Sequence, residues 1–153
     1  MISFRYKSFQ IEEIVKTPKS VREGLSLKFK SYGERGKVLD VDLDLQGGPL
    51  IDLRFRVYAG RFDDPSTYEA ALILADQRVR GIGYSATRLE RFYRQRIPKG
   101  WHENVIDPNL RTQDADRNRH EPLTDFEPTD LDDFLRRACE RWHIDLPSGE
   151  KLL

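Results

Sequence analysis

Between residues 38 and 57 apolar and polar side chains alternate, and this pattern narrows what the chain can fold into more than any other. Leu39, Val41, Leu43 and Leu45 alternate with Val38, Asp40, Asp42 and Asp44; Gln46-Gly-Gly-Pro49 interrupts; Ile51, Leu53, Phe55 and Val57 then alternate with Asp52, Arg54 and Arg56. A period of two sends successive side chains to opposite faces of an extended chain, and two such runs around a Gly-Gly break specify a β-hairpin. One face is apolar and needs a cover. The other sets Asp against Arg, and cross-strand charge pairs account for that row. Asp40, Asp42 and Asp44 share a face but stand ~7 Å apart along one strand. Cation ligands must converge to ~2.0–2.6 Å, so charge pairing is the better reading of these three carboxylates.

Further strands follow from the same logic. Leu25, Leu27 and Phe29 alternate with Ser26, Lys28 and Lys30, and residues 31–36 read as a turn. Residues 70–75 form a short apolar run that pairs, through a turn at Asp76-Gln77, with 78–84; Gly81 and Gly83 are candidate positions there for a bulge or a close backbone approach. Another strand is expected over 89–97, ended by Pro98 and Gly100. Two helices bracket these strands. Phe9, Ile11, Ile14 and Val15 suggest a short one that Pro18 stops. Leu131, Phe134, Leu135, Ala138 and Trp142 fall on one face of a helix over 130–143, with Thr129 as its N-cap and Asp130, Asp132 and Asp133 complementing its positive end. The expectation is one α+β domain over 1–153, an antiparallel sheet of about five to six strands packed by a C-terminal helix and a short N-terminal helix. Residues 98–128 show little periodicity, are rich in Asn, Asp, Arg and Pro, and read as a long irregular loop of the kind that tends to carry function.

Composition excludes several classes. The 153 residues carry 26 basic and 26 acidic side chains, so the chain lacks the net positive charge of a simple nucleic-acid binder. The charges are nevertheless segregated. Residues 78–99 hold seven cations (Arg78, Arg80, Arg88, Arg91, Arg94, Arg96, Lys99) against Glu90 alone, and residues 121–133 hold six acids and no base. No apolar run approaches the ~20 residues that cross a bilayer, and the first residues lack a signal-peptide core, so no membrane association and a cytoplasmic location are expected. A single cysteine, Cys139, rules out an intramolecular disulfide or a Cys-based metal cluster, and its mid-helix setting makes it a buried structural thiol.

The residues with chemistry to offer lie mostly in 98–128. His102-Glu103 and His120-Glu121 flank a polar stretch containing Asp107, Asp114 and Asp116. If the segment folds back on itself, two imidazoles and their neighbouring carboxylates meet beside the basic strand. His102, His120, Glu103 and Glu121 would then be acid/base groups, and Arg91, Arg94, Arg96 and Arg119 phosphate contacts. Ribonucleases that work without metal need such a set: a base for the 2'-hydroxyl, an acid for the leaving oxygen and a cation for the developing charge. A metal site built from His102, His120 and Asp107 or Glu121 ranks lower, because no compact His-Glu-x-x-His spacing occurs. No glycine-rich phosphate loop opens a helix, and no cofactor is expected. His143 sits where a helix dipole favours a cation, which is a structural role.

The order of features over 78–140 resembles that of the small TumE-type toxins of bacterial toxin-antitoxin modules. It consists of Arg80-Gly-Ile-Gly-Tyr84 at a strand end, a polar segment ending Arg119-His120-Glu121-Pro122-Leu123, then Phe126 and the helix start Leu131-Asp-Asp-Phe134. The resemblance implies an RNA-acting toxin with a cognate protein partner. In this chain the segment is longer than the family's, and the closely spaced histidines reduce to His120, with His102 distant. The alternative reading is a non-enzymatic module that binds a protein through its acidic strip or an exposed sheet edge.

Overall fold

A computed structural model describes residues 6–22, 28–31, 33–62, 64–86, 89–90, 96–106 and 118–146, with the backbone alone for 89, 90, 96, 97 and 118. In chain order the elements are α1 (Ser8–Lys16), β1 (Lys19–Val21), β2 (Lys30–Ser31), β3 (Lys37–Leu45), β4 (Leu53–Ala59), β5 (Glu69–Leu74) and β6 (Gln77–Ser85). Then come β7 (Leu89–Glu90), β8 (Arg96–Ile97), β9 (Gly100–Ile106), β10 (Asn118–Pro122), α2 (Leu131–Arg141) and β11 (Ile144–Asp145). The fold is α+β, built on a nine-stranded sheet in the order β10-β9-β6-β5-β4-β3-β1-β11, with β2 also paired to β3. All pairings within it are antiparallel except β1 with β11.

The sheet exceeds the expected five to six strands for two reasons. β1, β2 and β11 are two or three residues long, too short for a period to register. β9 and β10 come from the stretch 98–128, which is therefore not one irregular loop. The expected strand 89–97 is likewise replaced: Leu89 pairs with Ile97 and Glu90 with Arg96, so its two ends face each other as β7 and β8. Leu25 and Leu27 lie outside the described residues.

The alternating hairpin folds as its pattern demands. Leu39 faces Val57 and Val41 faces Phe55 across β3 and β4, and β5 continues the row with Leu74 opposite Leu53 and Leu72 opposite Phe55. These seven side chains are at most 2 % exposed. Both helices cover this face. α1 contributes Ile11, Ile14 and Val15; α2 contributes Leu131, Phe134, Leu135, Ala138, Cys139 and its C-cap Trp142, whose ring meets Phe55 edge-on at 6.1 Å. Burying several such side chains at about 1.5–3 kcal/mol each supplies the main drive for closure. On the opposite face Asp40 pairs with Arg54 and Arg56, and Asp44, on the same strand, with Arg22.

Four details differ from the sequence reading. The β5–β6 turn is Ala75-Asp76 rather than Asp76-Gln77, with both residues at positive φ (49° and 63°), the backbone of a two-residue hairpin whose twist matches its strands. The bulge in β6 falls at Val79, not at Gly81 or Gly83: Ile73 faces Arg78 and Leu72 faces Arg80, leaving Val79 extra. α2 is capped by Asp130, whose carboxylate accepts from the Asp133 amide at 2.8 Å, while the Thr129 amide donates to Asp133 at 3.0 Å. The helix also stops at Arg141, since His143 adopts φ 57° and turns the chain into β11.

The C-terminal ends of the two helices meet at one side chain. Lys19 is fully buried, and its ammonium donates to the carbonyls of Val15, Thr17 and Trp142, each at 2.7 Å. Carbonyls left over at helix ends are thereby satisfied by one cation. Burial lowers the Lys19 pKa from 10.5 to about 8.

Candidate functional site: the histidine face of β9 and β10

The register of β9 and β10 decides which functional side chains meet. Pro122 faces His102, Glu121 faces Glu103, His120 faces Asn104 and Arg119 faces Val105. Because side chains alternate, His102, Asn104 and His120 emerge on one face while Glu103, Glu121 and Arg119 emerge on the other. The Trp142 indole N–H reaches the Glu103 carboxylate, so this second face is the one covered by the helices.

On the histidine face the imidazoles of His102 and His120 lie 5.8 Å apart between centroids, with planes at 69°. Nδ1 of His120 is 2.5 Å from Oδ1 of Asn104, and Nδ1 of His102 is 3.1 Å from the Gly100 carbonyl. Both partners are oxygens that accept, so each neutral ring carries its proton on Nδ1 and its basic lone pair on Nε2. The neighbouring strand makes room for them. Gly83 faces His102 and Gly81 faces Asn104. A methyl on Gly83 would stand 4.0 Å from Nε2 of His102, and one on Gly81 would press at 3.4 Å on the Asn104 amide and on Arg78. His102 is 6 % exposed, whereas His120 is half-buried.

On the helix face the carboxylates are committed elsewhere. Glu103 is 5 % exposed; one oxygen accepts from Nε and Nη2 of Arg141 at 3.1 and 2.7 Å, the other from the Trp142 indole at 2.8 Å. Glu121 pairs with Arg119 at 2.8 Å. The expected acid/base set is thus divided by the sheet. The two histidines come together, but Glu103, Glu121 and Arg119 lie behind them. Arg91 and Arg94 fall outside the described residues, as do Asp107, Asp114 and Asp116, and of Arg96 only the backbone, paired with Glu90, is described.

Asn104 and the two glycines complete the site; the glycines stand out in the sequence as two within one strand, whereas nothing in the sequence marks Asn104 or places the glycines beside the histidines. Among the described residues no three His, Cys, Asp or Glu side chains are grouped to hold a metal ion, and Glu121 is on the wrong face to join the histidines. Burial, with Glu140 adding to it, pushes the Cys139 thiol up to about 12, which leaves it unreactive near neutral pH. Compared with protein-family models, curated proteins and solved structures, the chain finds no match in any of the three.

Proposed function

We propose that the histidine face is the acid/base site of a small RNA-acting protein, in keeping with the resemblance to TumE-type toxins. The observation that carries this reading is the pair of imidazoles 5.8 Å apart, each held with Nδ1 donating and Nε2 basic. Two such groups suffice for transphosphorylation without metal. In this scheme His120 takes the 2'-hydroxyl proton at Nε2, an atom that is buried and that substrate binding must uncover, the 2'-oxygen attacks phosphorus, and His102 in its protonated form gives a proton to the leaving 5'-oxygen. Arg91, Arg94 and Arg96 are the phosphate contacts in this scheme. Activity then requires one neutral and one charged ring, hence a bell-shaped pH profile.

The test is cleavage of a single-stranded RNA by the wild type, His120→Ala and His102→Ala. A loss of about 100-fold or more is expected for each, the range that general acid/base catalysis supplies. Cleavage and growth inhibition unchanged in both variants would remove the proposal.

The second reading, a protein-interaction module, is favoured by one feature. β10 ends the described sheet, and an edge strand offers main-chain hydrogen bonds to a strand from a partner. The acidic strip supports it less, since Asp130 and Asp133 are engaged in capping α2. RNA binding that falls steeply with salt favours the first reading; co-purification with a basic protein partner favours the second.

A further inference from the structure

On the helix face, behind the histidines, a cavity of about 340 Å³ opens between α1, the end of α2 and strands β6, β9 and β10. Four cationic side chains from four elements line it: Lys16, Arg80, Arg119 and Arg141; three carboxylates, Glu12, Glu103 and Glu121, face them. A second cavity of about 210 Å³ adjoins it and shares Glu12, Arg80, Val105 and Arg119. The Arg80–Glu12 ion pair therefore stands in the wall between the two.

Arg80 owes its place to the β6 bulge. Arg78 and Arg80 have the same parity, yet the extra residue Val79 turns Arg78 outward opposite Ile73 and Arg80 inward opposite the core residue Leu72. A bulge that re-aims one side chain is a frequent device beside binding sites. The guanidinium is only 5 % exposed and uses one N–H on the Val79 carbonyl and another on Glu12. Glu12 is 48 % exposed on a solvent-facing turn of α1. A buried cation in an apolar row is costly, and a lone half-exposed carboxylate is a modest counterweight. Glu103 is directed at Arg141 and the Trp142 indole rather than at Arg80.

We infer that this cleft binds a small phosphate-bearing molecule, with the Glu12 carboxylate occupying the place on Arg80 that the ligand's phosphate takes. A phosphate presents several anionic oxygens and can meet guanidinium groups arriving from different elements, bidentately where geometry allows. The cavity is at the small end of the ~300–1,000 Å³ range of ligand sites, and moving Glu12 aside joins it to its neighbour.

Calorimetric titration of the full chain with pyrophosphate and with adenosine monophosphate tests this. Saturable binding is expected for at least one of them. It weakens about tenfold in Arg80→Met and severalfold in Arg119→Gln, whose 66 % exposed side chain can be changed without disturbing the core, and it tightens severalfold in Glu12→Gln. His120→Ala leaves it unchanged, so its failure is separable from failure of the RNA reading. No saturable binding by either the wild type or Glu12→Gln overturns the inference, as does equal binding by wild type and Arg119→Gln. A single-stranded oligonucleotide that displaces pyrophosphate, and loses its own binding in Arg119→Gln, would assign the phosphate to a nucleic-acid backbone and overturn the small-molecule site; absence of competition supports it.

Discussion

Two rows of opposite charges lie on the two faces of one sheet, and they have different energetics. On the outer face of β3 and β4, Asp40 faces Arg54 and Arg56 with all three side chains about one-third exposed or more, at 3.5–4.0 Å. On the helix face, Glu103 is 7 % exposed at its side chain and meets Arg141 at 2.7 Å and the Trp142 indole at 2.8 Å. In sequence both look like charged residues at alternate positions. The outer pairs are solvated and interchangeable, whereas the inner carboxylate has left water and depends on its partners. Position on the sheet, not residue type, sets what a charge contributes.

That contrast can be broken or sharpened by measurement. The largest effect is expected from Glu103→Ala, which strands the Trp142 indole and leaves Arg141 unmatched. It should cost roughly 3 kcal/mol in denaturant unfolding, and a loss below about 1 kcal/mol would make the inner row equivalent to the outer. Next comes Lys19→Met, expected to cost about 2 kcal/mol by leaving three helix-end carbonyls without their donor. Its pH dependence has a defined sign. With a folded pKa of about 8 against 10.5 unfolded, the unfolded chain binds more protons between those values, so this group makes stability rise from pH 8 toward 10.5. The rise should disappear in Lys19→Met; a wild-type profile falling over that window relative to the variant contradicts it.

Asp133 gives a smaller effect. Burial opposes its ionisation, but the Thr129 amide and the guanidinium groups of Arg136 and Arg137 outweigh that and hold it at about 2. Its contribution is complete above pH 3.8 and is lost as pH falls through 2. Asp133→Asn should lose about 1 kcal/mol at neutral pH through the weakened cap, and show a flatter acid limb in thermal melts. The smallest effect belongs to Asp40→Ala, at most about 1 kcal/mol and reduced further by salt. A larger value there would dissolve the distinction between the faces.

What could be read from the sequence follows the same division. The β3–β4 hairpin was legible because its apolar face is unbroken from Leu39 to Leu45, and α2 because its apolar residues recur at helical spacing. β9 was not. Its helix face carries Trp101, Glu103 and Val105, and its other face His102 and Asn104, so neither face is cleanly apolar and no period of two stands out. β10, Asn-Arg-His-Glu-Pro, has no apolar side chain except Pro122. Such strands exist through pairing with a neighbour distant in sequence, which residue patterns do not encode. The histidines were identifiable by type, but their meeting depended on the register of His120 against Asn104. The same register sends Glu103 and Glu121 to the opposite face, although each is adjacent in sequence to a histidine.

The Lys19 contact has a consequence for the order in which the chain assembles. Its carbonyl partners on Val15 and Thr17 are local, but the third, on Trp142, is 123 residues away, and β1 reaches its parallel partner β11 across a similar separation. During synthesis the hairpins from β3 to β6 have everything they need long before Trp142 emerges. Until then the Lys19 ammonium lacks its third carbonyl, and α1 is held by its own apolar face and by the pairing of Glu12 with Arg80. The clasp therefore ties the start of the fold to its end: a chain cut short before α2 would lose the third Lys19 acceptor and leave the apolar face of its sheet uncovered by α2.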